Sequence, residues 1–401
     1  MKMNKQKKIM ILGASILQLP AILKAKEMGL QVIAVDMDKN AIGFRYADIC
    51  LVISTNDIPK VVAAAKLYNI NGIMTLASDM PMRTVAAVAK ELNIVGIDEV
   101  MALKATNKGI MRICLKDNDV PVPKFFRVKE IDEYMAVIHQ FKNKCIVKPA
   151  DNSGSRGVFL VNDINNNEMI MFAFEYSKKN SYGGEIIVEE YMEGPEVSVE
   201  TLSVDGKVEV ISITDKLTSG APNFVEMGHS EPSDLSREIK KQIERVAISA
   251  INAIGIVNGP SHTEIIVTDD GTKIVEIGAR LGGGNITTHL VPLSTGVDLV
   301  KCCIEIALGE KPDFEKKINM GAAVRYFKTN EGKLINITGV NEAKSILGVK
   351  QICFVKNIGD TVGALNNGSE RIGFVIAQGY DAEDAIRICE EAIKIIDIII
   401  E

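Results

Sequence analysis

Residues 261–280, SHTEIIVTDDGTKIVEIGAR, most restrict how this chain can fold. Two β-rich runs flank Asp269-Asp270-Gly271, a strong hairpin signal. With those three residues as the loop, Glu264 lies across from Glu276 and His262 across from Gly278. Alternation then puts His262, Glu264, Glu276 and Arg280 on one face. Ile265, Val267, Val275, Ile277 and Ala279 share the other and suit a core. Like charges directly opposed on a sheet destabilise it, so two carboxylates so placed need a cation between them. Oxygen ligands with no cysteine nearby point to Mg²⁺ held by carboxylates and substrate phosphates. A plain solvated hairpin face is the alternative reading. The Glu–Glu pairing, Arg280 and the following Leu281-Gly282-Gly283-Gly284 favour a metal–phosphate site.

The N-terminal hundred residues alternate strand and helix. Strands are expected at Lys8–Leu12, Gln31–Asp36, Ile49–Ser54 and Gly72–Ala77. Helices are expected at Ile16–Met28, Ile58–Leu67 and Pro81–Leu92. Such βαβα order implies a parallel, doubly wound sheet whose ligand rim carries Ser15, Asp36 and Ser78-Asp79. Asp36 stands where a dinucleotide fold places its ribose acid, but GASILQ has a lone Gly where GxGxxG needs three. No NAD site is therefore expected. The basic start, MKMNKQKKIMILGAS, has too short an apolar run for a signal peptide, and no run of about 18 apolar residues offers a membrane span. A net charge of −6 with no long basic run argues against nucleic acid as partner. Seven scattered cysteines, none spaced CxxC, fit a reduced, cytoplasmic setting.

Three stretches carry further chemistry. Lys108 opens a helix in ATNKGIMR; a solvated lysine is the bland alternative. Lys148 ends a strand before DNSGSRG (151–157), a glycine-rich hairpin whose N–H groups could cradle phosphate, with Ser153, Ser155, Arg156 and Gly157; a flexible hairpin tip is the other reading. EIIVEEYM then brings Glu189, Glu190, Tyr191 and Met192, whose backbone could meet an adenine edge, and Glu196 follows as a ribose acceptor. Residues 220–234, GAPNFVEMGHSEPSD, read as a loop between a strand at Val208–Thr214 and a helix at Leu235–Ile254. Residues 295–308 read as helix. Residues 320–401 read as short strands and a final helix, Ala382–Ile398, that complete the substrate pocket.

In this order, Lys108, Lys148 with DNSGSRG, VEEYMEGPEVSVE and HTEIIV…VEIGAR resemble the ATP-grasp superfamily over roughly residues 8–310. The resemblance implies an α/β and α+β chain: a Rossmann-like N-terminal domain (1–100), a connector and lid (101–187), an ATP-grasp core (188–310) and a C-terminal α+β segment (311–401). It implies ATP with Mg²⁺, or Mn²⁺ in its place. Lys108 and Lys148 would meet the phosphates under the Ser153–Gly157 loop, Glu189–Met192 would form the adenine hinge, Glu196 would hold ribose, and Glu264 and Glu276 the metal. Arg280 would stabilise an acyl phosphate or carboxylate. The usual motif has Asn two residues after the second Glu, where this chain has Gly278, which puts a second metal ion in doubt. Glu226-x-x-His229 and LGGG after Arg280 resemble L-amino-acid ligases. There Glu226 would hold a substrate ammonium, His229 would sit by the acyl phosphate, and Gly283 would lie against substrate. His262 is expected beside the metal and His289 in a structural role. The activity implied is a carboxylate–amine ligase with small-molecule substrates, a homodimer being one arrangement open to it. A phosphoribosylglycinamide synthetase-like purine ligase and a non-catalytic nucleotide-binding protein are the alternatives; carbamoyl-phosphate synthase large chains share the resemblance.

Overall fold

The computed structural model describes residues 6–221 and 224–401. The first five residues of the basic start, and 222–223 of the 220–234 stretch, lie outside the described residues. The N-terminal sheet has parallel strands β1 (Lys8–Leu12), β2 (Gln31–Asp36), β3 (Ile49–Val52) and β4 (Gly72–Met74) in the order β3-β2-β1-β4. KIMIL and QVIAVD are apolar on both faces because helices α1 (Leu19–Glu27), α2 (Ile58–Tyr68) and α3 (Pro81–Leu92) pack around them. Asp36 is spent locally: its carboxylate accepts from the amides of Ala14 at 2.7 Å and Asp38 at 2.9 Å.

Helix α4 (Glu99–Thr106) leads into α5 (Lys108–Asp117), whose N-cap Asn107 accepts from the Ile110 amide at 2.9 Å. A small antiparallel sheet follows: β5 (Phe125–Val128), β6 (Cys145–Pro149), β7 (Phe159–Val161) and β8 (Ile186–Glu190), in the order β5-β8-β6-β7. Helices α6 (Ile131–Ile138) and α7 (Asn167–Lys179) bury Tyr134, Ile138, Ile170 and Phe174 against it.

The large sheet has eight strands. It begins with β9 (Glu196–Val204), β10 (Lys207–Thr218), β11 (Glu226–Glu231), β12 (Gly259–Thr268) and β13 (Gly271–Gly278). The C-terminal segment adds β14 (Gly321–Tyr326), β16 (Val349–Phe354) and β18 (Gly373–Gly379) to it, while β15 (Gly332–Thr338), β17 (Thr361–Val362) and β19 (Asp397–Ile400) form a separate three-stranded sheet in the order β17-β15-β19. The order β13-β12-β9-β10-β11-β14-β18-β16 runs without a break from one end of this region to the other. Helix α8 (Arg237–Ile254) lays Ile243, Ala247, Ala250, Ile251 and Ile254 on one face, over Val197, Val199, Ile265, Ile274 and Ile277. Each fully buried large aliphatic in that layer contributes about 1.5–3 kcal/mol.

Two expectations are corrected here. Glu226–Glu231 is not loop but strand β11, pairing with β10 on one side and β14 on the other. EMGHSE is polar and glycine-bearing, and its partner β14 lies about ninety residues downstream, so no local periodicity marks it. Residues 295–308 are likewise interrupted: one helix ends at Thr295 and the next starts at Leu299, with Gly296 at φ +77° between them.

The hairpin itself pairs as expected at the site but turns differently. Thr268 opposes Gly271, so the loop is Asp269-Asp270 alone. A register shift beyond Glu264 then restores Glu264 opposite Glu276 and His262 opposite Gly278. Because of that bulge Ile274, not Val275, enters the core, and the Val275 carbonyl accepts from Arg112 at 2.6 Å.

Candidate active site

Helix α5 links the small sheet to the large one. Lys108 and Arg112, four residues apart, share a face. Lys108 is buried; its Nζ donates to Glu276 Oε1 at 2.9 Å and to the carbonyl of Asn152 at 2.7 Å. Arg112 is fully buried, its Nε donating to Glu189 Oε1 at 2.7 Å and Nη2 to Glu189 Oε2 at 3.2 Å. Lys148 Nζ meets Glu189 Oε2 at 2.6 Å. Burial pushes the Glu189 carboxyl up, but the charges of Arg112 and Lys148 outweigh it and hold the group at about 2. Burial lowers Lys148, while Glu189 acts in the opposite sense.

Glu264 and Glu276 face each other across the hairpin, each with its own lysine. Lys108 takes Glu276. Glu264 Oε1 lies 3.1 Å from Nζ of Lys216, a residue the sequence reading missed. Lys216 also donates to Glu196 Oε1 at 2.7 Å and stands 3.6 Å from Glu226 Oε1. It therefore gathers the expected ribose, metal and substrate acids around one ammonium. Its place is set by alternation along β10 and by direct pairing with His229 on β11. Burial raises Glu264, yet Lys216 and His262 together hold it well below the usual carboxylate range. Burial also raises Glu196, with Lys216 pulling it down and Glu264 adding to the rise; the net shift is upward.

His262 is hydrogen-bonded through Nδ1 to Glu200, the residue directly opposite on β9, and its Nε2 lies 3.5 Å from Glu264 Oε1. Burial lowers its pKa, but the Glu200 carboxylate prevails and lifts it to about 9. The ring thus stands between Glu200 and Glu264. His289, as expected, is tied locally, its Nδ1 2.8 Å from the Thr288 hydroxyl.

Arg280 is held by the N-terminal domain. Its Nε and Nη2 reach Asp79 Oδ1 at 2.8 Å and Oδ2 at 3.2 Å. A Cβ on Gly278 would lie 2.9 Å from the Arg280 Cζ and 3.0 Å from Asp79 Oδ1. The glycine that replaces the usual asparagine thus makes room for this ion pair. Asp79 was placed on the right rim by the sequence, but its partner is two hundred residues away. Beyond Arg280, Gly282 donates its amide to Glu200 at 3.1 Å, and open space adjoins Gly283. At Gly284 (φ +61°) a Cβ would meet His229 Nε2 at 2.7 Å. His229 is 1% exposed, and among the described residues neither ring nitrogen has a hydrogen-bond partner.

The 151–157 loop docks on α5, where the Lys108 amide donates to the Ala150 carbonyl. Gly157 has φ +80°, and a Cβ there would strike Asn180 and Pro149. Ser153 is half-buried, and Ser155 and Arg156 are exposed at the tip, where Arg156 Nε donates to the Ser153 carbonyl. Glu189 and Glu190, expected in the hinge, lie in the small sheet. β8 is an inner strand, so Glu189 pairs with Phe125 and with Ile146, and the Glu190 amide donates to Lys124. The Glu190 amide is thus used in the ladder, and the Glu189 carboxylate meets Arg112 and Lys148. Tyr191 and Met192, half-buried between the two sheets, lie outside it; the Lys144 ammonium sits 4.5 Å over the Tyr191 ring.

Five carboxylates (Glu196, Glu200, Glu226, Glu264, Glu276) thus share Lys108, Lys216 and His262, with Arg371 3.7 Å from Glu226. Among the described residues no group of three or more Asp, Glu, His or Cys is arranged to hold a metal by itself. An opposed pair of oxygen donors with surplus negative charge fits a hard cation that shares its shell with phosphates. No described helix is long and apolar enough to cross a membrane.

Residues 141–289 match the ATP-grasp domain, and residues 325–401 match L-amino acid ligase C-terminal domain 2. The chain is 26% identical over 275 residues to the L-arginine-specific L-amino acid ligase of Bacillus subtilis, covering 67% of this chain and 65% of that protein, just under two thirds of its length. It is 24% identical over 409 residues to the phosphoribosylamine–glycine ligase of Methanococcus maripaludis, covering 94% and 88%. A crystal structure of an L-amino acid ligase from Bacillus licheniformis superposes with a TM-score of 0.86 at 24% identity, over 99% of each chain. The fold is therefore that of the ATP-grasp ligases.

Proposed function

We propose that this chain, built around an ATP-grasp domain, is an ATP-dependent carboxylate–amine ligase that works through an acyl phosphate on amino-acid-type substrates. The observation that carries this reading is the opposed Glu264–Glu276 pair, with Lys108 and Lys216 on it, in a chain that ends in an L-amino acid ligase C-terminal domain. Glu264 and Glu276 would hold Mg²⁺, which would supply neutralising charge to the phosphates when bound.

The carboxylate oxygen attacks the γ-phosphorus of ATP, the bond to the β-phosphate oxygen breaks, and ADP leaves. Such transfer asks the protein for alignment and charge rather than covalent chemistry. Lys108 and Lys148 supply cation at the phosphates, and the Ser153–Gly157 loop covers them. Tyr191 and Met192 flank the adenine, and Glu196 takes the ribose. Arg280, its plane fixed by Asp79, offers the acyl phosphate a fork of donors. The amine nitrogen then attacks the acyl carbon and phosphate departs. The buried, unpaired His229 ring is placed to take the proton that the amine loses, and Glu226 to hold that amine beforehand.

Phosphate release from ATP with pooled L-amino acids tests this. Glu276→Gln should abolish it; full turnover in that variant would remove the metal role. The purine-type reading is favoured by the near full-length match to phosphoribosylamine–glycine ligase. Release only with glycine and phosphoribosylamine would establish it instead.

A further inference from the structure

We infer that Arg371, carried in by the C-terminal segment, grips the carboxylate of the amine-donating substrate, so that this substrate is an amino acid and not a simple amine. The inference rests on the ligase reading above and adds a residue from outside the ATP-grasp domain to its site. Arg371 belongs to neither the nucleotide nor the metal cluster. Its Nε donates to the Gly368 carbonyl at 2.9 Å and its Nη1 to the Glu226 carbonyl at 3.2 Å. The guanidinium lies over Tyr326, with Cζ 3.9 Å from the ring centroid. Backbone bonds and an aromatic face thus fix its plane while other donors stay available, a preorganised fork of the kind that recognises carboxylates.

The surroundings point to a ligand. Glu226 has three basic side chains as neighbours, and all stand beyond hydrogen-bonding reach: Lys216 at 3.6 Å, His229 at 3.7 Å and Arg371 at 3.7 Å. Its carboxylate is held far below the usual range; burial opposes that shift and His229 and Lys216 drive it. An ionised acid so enclosed is ready for a donor to enter. His229, buried with both nitrogens unpaired, borders the same space, as does Gly284. An α-amino acid carries its ammonium and carboxylate on one carbon, so it needs an acid and a base side by side. Glu226 and Arg371 provide that pair.

A charge-assisted bond of this kind is worth about 1.5–3 kcal/mol, or about 10- to 150-fold in selectivity. The first experiment uses the intact wild-type protein with ATP, Mg²⁺ and a carboxylate found from the L-amino-acid pool. Glycine and methylamine are compared as acceptors by mass spectrometry, with hydroxylamine as a trap for the acyl phosphate. Preference for glycine by about 10-fold or more supports the inference, and equal use of the two amines overturns it. The second reads the ratio of glycine amide to hydroxamate in Arg371→Gln and Arg371→Lys. That ratio should fall by at least 10-fold in Arg371→Gln and by less in Arg371→Lys, because it compares two acceptors in one preparation; glycine preference in the wild type with an unchanged ratio in both variants assigns the carboxylate to another residue and overturns the role of Arg371. A wild-type protein that forms no hydroxamate overturns the ligase reading and this inference with it, an outcome distinct from a hydroxamate-forming enzyme indifferent to the acceptor's carboxylate.

Discussion

Glu189→Gln is the sharpest test of how the small sheet is fastened to the large one. Glu189 is 2% exposed and is the only carboxylate bonded to both Arg112 and Lys148 among the described residues. Its pKa falls from 4.5 to about 2, because the two cations overcome the upward push of burial. A displacement of that size corresponds to roughly 3 kcal/mol at about 1.4 kcal/mol per unit. Removing one partner of a buried ion pair costs about 3–5 kcal/mol, since the remaining charges stay behind unpaired. The two routes agree, and we expect Glu189→Gln to lose about 3 kcal/mol in urea unfolding at pH 7. The sign with pH follows. A depressed carboxylate stabilises above its unfolded value and loses that contribution as pH falls from about 4.5 toward 2. The gap between wild type and variant should therefore be full at pH 6–7 and shrink below pH 4.5. Lys148 should also lose its ammonium at lower pH in the variant, since Glu189 is what opposes the lowering by burial. A variant within about 0.5 kcal/mol of wild type at pH 7, or a gap that does not change between pH 6 and 3, would refute this reasoning.

Three further outcomes follow from single contacts. Lys216→Met leaves Glu196, Glu226 and Glu264 without their shared cation and should cost about 3–5 kcal/mol, with Mg²⁺ raising the melting temperature more in the variant than in wild type; equal Mg²⁺ shifts would contradict it. Gly278→Asn, which restores the usual motif, should displace Arg280 from Asp79 and lower kcat about 10-fold or more, measured by coupled ADP release; an unaltered kcat would show that the pair is dispensable. Burial, with Glu200 adding to it, lifts Glu231 to about 8, so its contribution is present below pH 4.5 and is lost as pH rises through 8. Glu231→Gln should therefore gain on wild type by about 1 kcal/mol per pH unit between pH 5 and 8, and parallel stability–pH curves would exclude this.

Much of the site was legible because its signals are local. Period-two alternation and a turn between Thr268 and Gly271 set Glu264 against Glu276, and Lys108 and Arg112 share a face simply by being one helical turn apart. Even there the agreement came by another route: a two-residue loop and a bulge replace the three-residue loop, and the exchange of Val275 for Ile274 records the difference. The amino-acid order determined by itself the parallel N-terminal sheet, the paired glutamates and the glycine-rich loop, since each depends on neighbours a few residues away. Only the tertiary structure decided that β11 is a strand, that Lys216 joins three acids, that Asp79 holds Arg280, and that Arg371 reaches Glu226. Those partners come together when β9, β10, β11 and β14 align in one sheet and the N-terminal domain packs on its edge, and no periodicity within a segment encodes a pairing between segments a hundred residues apart.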